Sequence, residues 1–243
     1  MLMVRGLRKG IANQQYNGFI VEQKPRSMVS EAYKKLRTNI QYSSFDKEIK
    51  TIVITSAQAA EGKSTVSGNI ALSFAQIDKK VVIVDCDLRK PSVHKNFKIS
   101  NLVGLSEVIT GQVDLEDAVQ KYNNNLYILP SGEIPPNPSE MLSSSAMTEL
   151  IKKLRDKYDI SIFDSAPLEA VADAQILSAK VDGTVLVIRA QRTNKDSVIE
   201  AKNFLKKVGA NIIGTVLNSV ETIKEKNYYY YETSEESGSL AMK

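Results

Sequence analysis

The apolar residues of this chain fall in short, nearly continuous runs. They are Ile52 to Ile54, Val81 to Val84, Leu126 to Leu129, Ile160 to Phe163, Thr184 to Ile188 and Ile212 to Leu217. Runs of this length with little alternation predict strands buried on both faces, as in a parallel sheet. Between them the apolar spacing turns helical. Residues 27–42 place Val29, Tyr33, Leu36 and Ile40 on one face, with Ser27 or Ser30 available as N-cap. The stretch after Gly62 places Val66, Ile70, Leu72, Phe74 and Ala75. Further helices are expected at Ser139–Tyr158, Asp173–Ala179 and Asn194–Val208. The alternation predicts a doubly wound, mostly parallel α/β sheet. Residues 1–26 lack sustained periodicity and read as an N-terminal arm. Residues 27–220 read as one domain, and residues 221–243 as a flexible tail.

The run Thr51–Ile54 leads into a loop of small residues ending in Gly62-Lys63-Ser64-Thr65, and the helical pattern follows at once. Strand, loop and helix in that order are the context of a phosphate-binding loop. Its N–H groups and the helix N-terminus favour an anion. Residues Ala59 to Thr65 (Ala59, Ala60, Glu61, Gly62, Lys63, Ser64 and Thr65) would cradle a nucleotide. Lys63 would reach its β- and γ-phosphates, and Ser64 would ligate Mg²⁺. Ala57 stands where the G-x-x-x-x-G-K-[ST] pattern has its first Gly, and Ala60 would be strained at positive φ.

Two of the predicted strands carry three carboxylates at their ends. The second run continues as Asp85-Cys86-Asp87, and the fourth closes on Asp164. Ligands of open α/β sheets bind at these carboxyl ends. In extended chain Asp85 and Asp87 would point to the same side. A single strand-end Asp can be a helix cap or a loop hydrogen bond, but three beside a phosphate loop suit metal-assisted phosphoryl transfer from ATP. Asp164 is the natural Mg²⁺-orienting residue, Asp85 is a second candidate ligand, and Asp85 or Asp87 could take or orient the acceptor's proton.

Composition narrows the setting. At 243 residues, 42% hydrophobic and 25% charged, the chain has the make-up of a globular domain. A net charge of +4 makes no case for nucleic acid. The charge is uneven, with eight Lys/Arg against two Glu in residues 1–37, so a basic front end could meet acidic lipid or an acidic partner. Cys86 is the single cysteine, so no internal disulfide forms, which fits a reducing cytosol. One His and one Cys make no metal site by themselves. No apolar run approaches the ~18 residues of a membrane span, and Met1-Leu-Met-Val is too short for a signal-peptide core.

The ordered set of motifs resembles a known family. Val84-Asp-Cys-Asp-Leu-Arg-Lys-Pro91 resembles the second nucleotide motif of the bacterial protein-tyrosine kinases of capsule and exopolysaccharide systems. Ile162-Phe-Asp-Ser-Ala-Pro167 is similar to their metal-binding strand end, and Pro130–Leu142 to their proline-rich segment. Glu31-Ala-Tyr-Lys34-Lys-Leu-Arg37 resembles their E-x-x-R-x-x-R oligomerisation helix, with Lys34 replacing the first Arg. On spacing alone, Glu31, Lys34 and Arg37 are one ridge of a surface helix. Ala60 stands where these kinases commonly have Gly. Gln58 occupies the place of an extra lysine in the septum-site and partition ATPases. The resemblance implies a place for Asn218 near the nucleotide base; a turn-forming Asn after a strand is the plainer reading. It further implies a ring-shaped homo-oligomer, a transmembrane adaptor that recruits the chain to the inner face of the membrane, and protein tyrosines as substrates.

Tyr228, Tyr229, Tyr230 and Tyr231 are four of the ten tyrosines, and Glu232-Thr-Ser-Glu-Glu-Ser-Gly-Ser239 follows them. That flank is too polar to fold by burial. An aromatic edge strand is one reading of the cluster; an autophosphorylated tail, which the resemblance also implies, is the preferred one. Two functions are expected to compete. One is an ATP-dependent protein-tyrosine kinase acting on its own tail and on other proteins. The other is a nucleotide-switched ATPase whose tail is only an interaction motif.

Overall fold

The computed structural model describes residues 2–6, 18–44 and 47–221. Its strands are β1 (Leu2–Gly6), β2 (Thr51–Ser56), β3 (Val81–Asp85), β4 (Gln120–Lys121), β5 (Leu126–Leu129), β6 (Ile160–Asp164), β7 (Gly183–Arg189) and β8 (Ile212–Glu221). They form one sheet in the order β1-β8-β7-β2-β6-β3-β5-β4. Every pairing is parallel except β4 with β5. The chain leaves β2 in the middle of the sheet, builds one half outward, then returns to build the other. The carboxyl ends of β2, β6 and β3 therefore lie side by side, with Ile54 opposite Asp164 and Asp164 opposite Asp85.

The helices are α1 (Ile20–Gln23), α2 (Met28–Gln41), α3 (Lys63–Ala75), α4 (Val93–Phe97), α5 (Leu105–Ile109), α6 (Leu115–Ala118), α7 (Pro138–Ser143), α8 (Ser145–Lys157), α9 (Asp173–Ser178) and α10 (Lys195–Lys207). Alternate strand residues face opposite layers. Ile52, Ile54, Val81 and Ile83 pack with α2 and α3, whereas Val53, Val82, Val84 and Phe163 pack with α7 and α8. Leu186 carries the second layer on to α9 and α10. Helix α3 is buried nearly all round, as a helix between sheet and α2 must be. Helix α2 is amphipathic: Ser27 caps it by accepting the Ser30 N–H, and Tyr33, Leu36 and Ile40 are its buried stripe.

Four expectations change. Strand β3 stops at Asp85, because the Asp85 carboxylate takes backbone N–H groups of its own loop and ends the ladder there. The segment 139–158 is two helices, since Ser144 sits in extended backbone, ending α7 and capping α8 through the Met147 N–H. Strand β8 runs on past Leu217, so Asn218 belongs to a strand and not to a turn. Finally, parts of the stretch read as an arm, residues 1–26, belong to the fold. Leu2–Gly6 pairs in parallel with β8, and Phe19 and Val21 are buried.

That second piece is pinned to α3. The Val21 N–H donates to Asn69 Oδ1 at 3.1 Å, and Gln76 Nε2 donates to the Val21 carbonyl at 3.1 Å. The Phe19 ring lies against Gly68, where an added Cβ would come within 2.1 Å of it. Gly68→Ala should therefore destabilise the protein by about 1–3 kcal/mol through overpacking. A lower urea midpoint at unchanged m value checks this, and an unchanged midpoint would mean that Phe19 moves aside freely.

Candidate active site

The phosphate loop joins β2 to α3 and is held from several sides. Ser56 Oγ donates to the Gln58 carbonyl at 2.7 Å, and the Gln58 N–H donates to Glu61 Oε2 at 2.9 Å. Glu61 is buried, and its other oxygen accepts from the Thr193 hydroxyl. Arg189 Nη1 donates to the Ala60 carbonyl at 3.1 Å, and Asn218 Nδ2 to the Glu61 carbonyl at 2.9 Å. Gly62 is the α3 N-cap at φ +89°, and a Cβ there would meet Asn218 Nδ2 at 2.3 Å, so both backbone angle and space require glycine. Ala60 also sits left-handed, at φ 61°. Ala60→Gly should relieve that strain and stabilise the protein by about 0.5–1 kcal/mol, seen as a melting-point rise of a few degrees at most; a fall would mean that the methyl group carries packing of its own.

Lys63 turns back into the carboxylates. Its Nζ lies 2.9 Å from Asp87 Oδ2, 3.9 Å from Asp164 Oδ2 and 3.4 Å from Ser64 Oγ. Asp164 is fully buried; Ser67 Oγ donates to its Oδ1 at 2.9 Å, while Oδ2 has no hydrogen-bond partner. Asp85 is held differently. Its Oδ2 accepts the N–H groups of Ser92 and Val93 at 3.0 and 2.9 Å, and its Oδ1 accepts that of Asp87 at 3.2 Å. Asp87 Oδ1 closes the next turn by accepting the Lys90 N–H at 3.0 Å. Ser92 Oγ donates to Ser64 Oγ at 2.9 Å.

Electrostatics follow from this crowding. Burial, with Asp164 opposite, pushes the Asp85 carboxyl up to about 7 against the pull of its N–H donors and Lys63. Burial likewise raises Asp164, with Lys63, Ser64 and Ser67 opposing. Burial alone would lower Lys63, but Asp164, Asp87 and Asp85 outweigh it and its pKa is raised. The cluster holds its ammonium charged, while Asp85 and Asp164 hold their protons more tightly than free carboxyls do.

The arrangement fits a nucleotide with Mg²⁺. Asp164 Oδ2, buried and without a hydrogen bond beside the Ser64 hydroxyl and the Lys63 ammonium, is an acceptor with room for a further donor or cation. Among the described residues no group of three or more His, Cys, Asp or Glu could hold a metal alone. Mg²⁺ bound with a nucleotide takes one or two protein ligands and completes its shell with phosphate and water. A cavity of about 700 Å³ around Leu115 and Leu150 has none of these groups in its lining.

A match to the AAA domain covers residues 49–218, the loop and all three carboxylates included. The chain is 44% identical over 230 residues to the tyrosine-protein kinase YwqD of Bacillus subtilis, covering 94% of this chain and 97% of that protein. The chain belongs to the bacterial tyrosine-protein kinase family. The kinase domain of Escherichia coli tyrosine kinase ETK superposes with a TM-score of 0.85 at 30% identity, over 94% of this chain and 93% of that one. The septum-site-determining protein MinD of Pyrococcus horikoshii, complexed with Mg-ADP, is more distant, with a TM-score of 0.59 at 27% identity over 69% of each chain.

Within this tyrosine-kinase fold the expected residues divide. Ala59 to Thr65, Asp85, Asp87, Asp164 and Asn218 converge on one sheet edge. Glu31, Lys34 and Arg37 lie apart on α2. Lys34 Nζ pairs with Glu31 Oε1 at 2.7 Å, whereas Arg37 Nη1 donates to the Ser73 carbonyl of α3 at 2.7 Å. Tyr228 to Tyr231 lie outside the described residues. Sequence reasoning missed Ser67, although it shares a helix face with Lys63 at four-residue spacing. It also missed Thr193 and Arg189, for which the local sequence carries no signal.

Proposed function

We propose that the chain is an ATP-dependent protein-tyrosine kinase that phosphorylates its own tail in trans and regulates capsular or exopolysaccharide synthesis and export. The observation that carries this reading is the Lys63–Asp87–Asp164 cluster at the adjoining ends of β2, β6 and β3. In the proposed reaction a tyrosine phenol oxygen forms a bond to the γ-phosphorus of ATP. The bond from that phosphorus to the β–γ bridging oxygen breaks, and ADP leaves with the electron pair. Lys63 holds the transferring phosphoryl group, and leaving Asp87 for it frees that carboxylate to take the phenol proton. Ser64 and the free Asp164 oxygen would hold Mg²⁺, which neutralises phosphate charge. Asp85, with both oxygens engaged by backbone, acts by fixing the loop from Asp87 to Val93. Asn218 supports the loop beneath the nucleotide.

Residues 27–220, with β1 and the segment around Phe19 and Val21 packed on them, would form the kinase unit, and the residues beyond β8 the acceptor tail, with Tyr228 to Tyr231 as the modified positions. No described helix is long and apolar enough to cross a membrane. Recruitment to the inner membrane face would then go through a transmembrane adaptor. A ring of subunits would present one tail to the next site. For testing that ring, charge reversal belongs at Lys34 and not at Arg37, because Arg37 also ties α2 to α3. Purified protein given ATP and Mg²⁺ should accumulate phosphotyrosine on the tail. Hydrolysis of ATP with no phosphotyrosine would favour the nucleotide-switched ATPase instead.

A further inference from the structure

Asp173, the first residue of α9, is a fully buried carboxylate outside the phosphate-loop cluster. It holds two partners from different loops. Arg89 Nε donates to Asp173 Oδ2 at 3.0 Å, and Ser139 Oγ donates to Asp173 Oδ1 at 2.6 Å. Arg89 Nη2 then reaches Ser139 Oγ at 3.0 Å and Asp173 Oδ1 at 3.5 Å, closing the triangle.

The three corners matter because of what they adjoin. Arg89 lies inside the turn from Asp87 to Lys90, which the Lys90 N–H closes onto Asp87 Oδ1. Anchoring Arg89 therefore anchors Asp87, whose other oxygen meets Lys63. Ser139 is the second residue of α7, within the proline-rich segment that follows β5. Asp173 opens the helix that follows the Asp164 loop. The clasp thus joins the segments leaving β3, β5 and β6, of which α9 also packs on Ala57 at the start of the phosphate loop.

Stability alone is a weak reason for such a clasp. Taking a carboxylate fully out of water is costly, and an apolar contact of similar volume would often serve the fold as well. The Arg89 side chain remains 40% exposed, so the pair is only half desolvated. What a forked guanidinium on a fixed carboxylate does supply is direction.

We infer that Asp173 is a positioning residue for the acceptor tyrosine: through Arg89 and Ser139 it sets the gap between the Asp87 turn and the proline-rich wall. This rests on the kinase reading above. None of the clasp's hydrogen bonds goes to the phosphate loop, so breaking it should separate acceptor handling from nucleotide handling.

The experiment uses the full chain and three variants, Asp173→Asn, Arg89→Lys and Ser139→Ala. A synthetic peptide of residues 222–243 is the acceptor, and Mg-ADP binding is measured directly. For Asp173→Asn and Arg89→Lys, kcat/KM for the peptide should fall by roughly 10- to 100-fold, as expected for a reacting group displaced by up to an ångström. The Mg-ADP Kd should stay within about twofold. Ser139→Ala keeps the ion pair and should show the same separation at smaller size, so the test survives if Asp173→Asn folds poorly. Equal losses in peptide efficiency and Mg-ADP affinity would overturn the inference, as would unchanged peptide kinetics in all three variants. Wild-type protein that never phosphorylates the peptide while hydrolysing ATP would instead overturn the kinase reading.

Discussion

Lys63→Met protein should form phosphotyrosine at less than about one-hundredth of the wild-type rate. Removing one preorganised charge from a phosphoryl-transfer site costs roughly 3–4 kcal/mol of transition-state stabilisation. Among the described residues Lys63 is the cation that pairs with Asp87 and Asp164, and none of the others is placed to replace it. The same substitution should alter stability in a pH-dependent way. Asp85, at about 7, and Asp164 are both held above the ordinary carboxylate range. Between the unfolded and folded values the native chain binds more protons than the unfolded chain, so stability falls as pH rises. Without the ammonium group both carboxyls should rise further and that fall should steepen. The variant's melting-point deficit should therefore be largest near pH 7 and shrink toward pH 5. Wild-type phosphotyrosine levels in the variant would remove Lys63 from the mechanism. A deficit that grew on acidification would contradict the electrostatic account of the cluster.

What the sequence disclosed about this site followed from locality. Gly62, Lys63 and Ser64 are contiguous, and the runs ending in Asp85 and Asp164 carry their own signal of buried parallel strands. Their convergence required only the doubly wound topology, which brings the ends of β2, β6 and β3 together. The division of labour among the carboxylates was not legible. Asp85 and Asp87 are two residues apart, and extended chain would aim them alike. The ladder ends at Asp85, which then binds the N–H groups of Ser92 and Val93 while Asp87 faces Lys63. Arg37 was hidden in a similar way. Its spacing puts it on a ridge with Glu31 and Lys34, but its donor reaches Ser73, whose proximity depends on how α2 crosses α3. The edge strand Leu2–Gly6 is the extreme case. Five residues hold no period worth reading, and their state depends on the open edge that β8 offers.

Replacing Tyr228 to Tyr231 by Phe should abolish most autophosphorylation while leaving Mg-ADP affinity unchanged. These phenols are the proposed acceptors, and the nucleotide is held by residues remote in sequence from them. The same variant should also hold the protein in its assembled state. Each phosphate adds about −1.5 to −2 charges, so a fully modified cluster gains roughly −6 to −8. That charge would lie on a tail which already carries Glu232, Glu235 and Glu236. It would face a site built from Asp85, Asp87 and Asp164, where Lys63 and Mg²⁺ offset only part of the repulsion. Docking of a modified tail in a neighbour's site should weaken accordingly, and the ring that produced the modification should come apart. The effect should shrink in high salt wherever the charges are exposed to solvent. Light scattering before and after ATP addition checks both halves: wild type should move from large to small species, and the four-Phe variant should stay large. A wild-type oligomer that persists after stoichiometric tail phosphorylation would sink the repulsion mechanism and leave the kinase assignment standing. A four-Phe variant that disassembles with ATP would show that nucleotide, and not tail charge, controls the assembly.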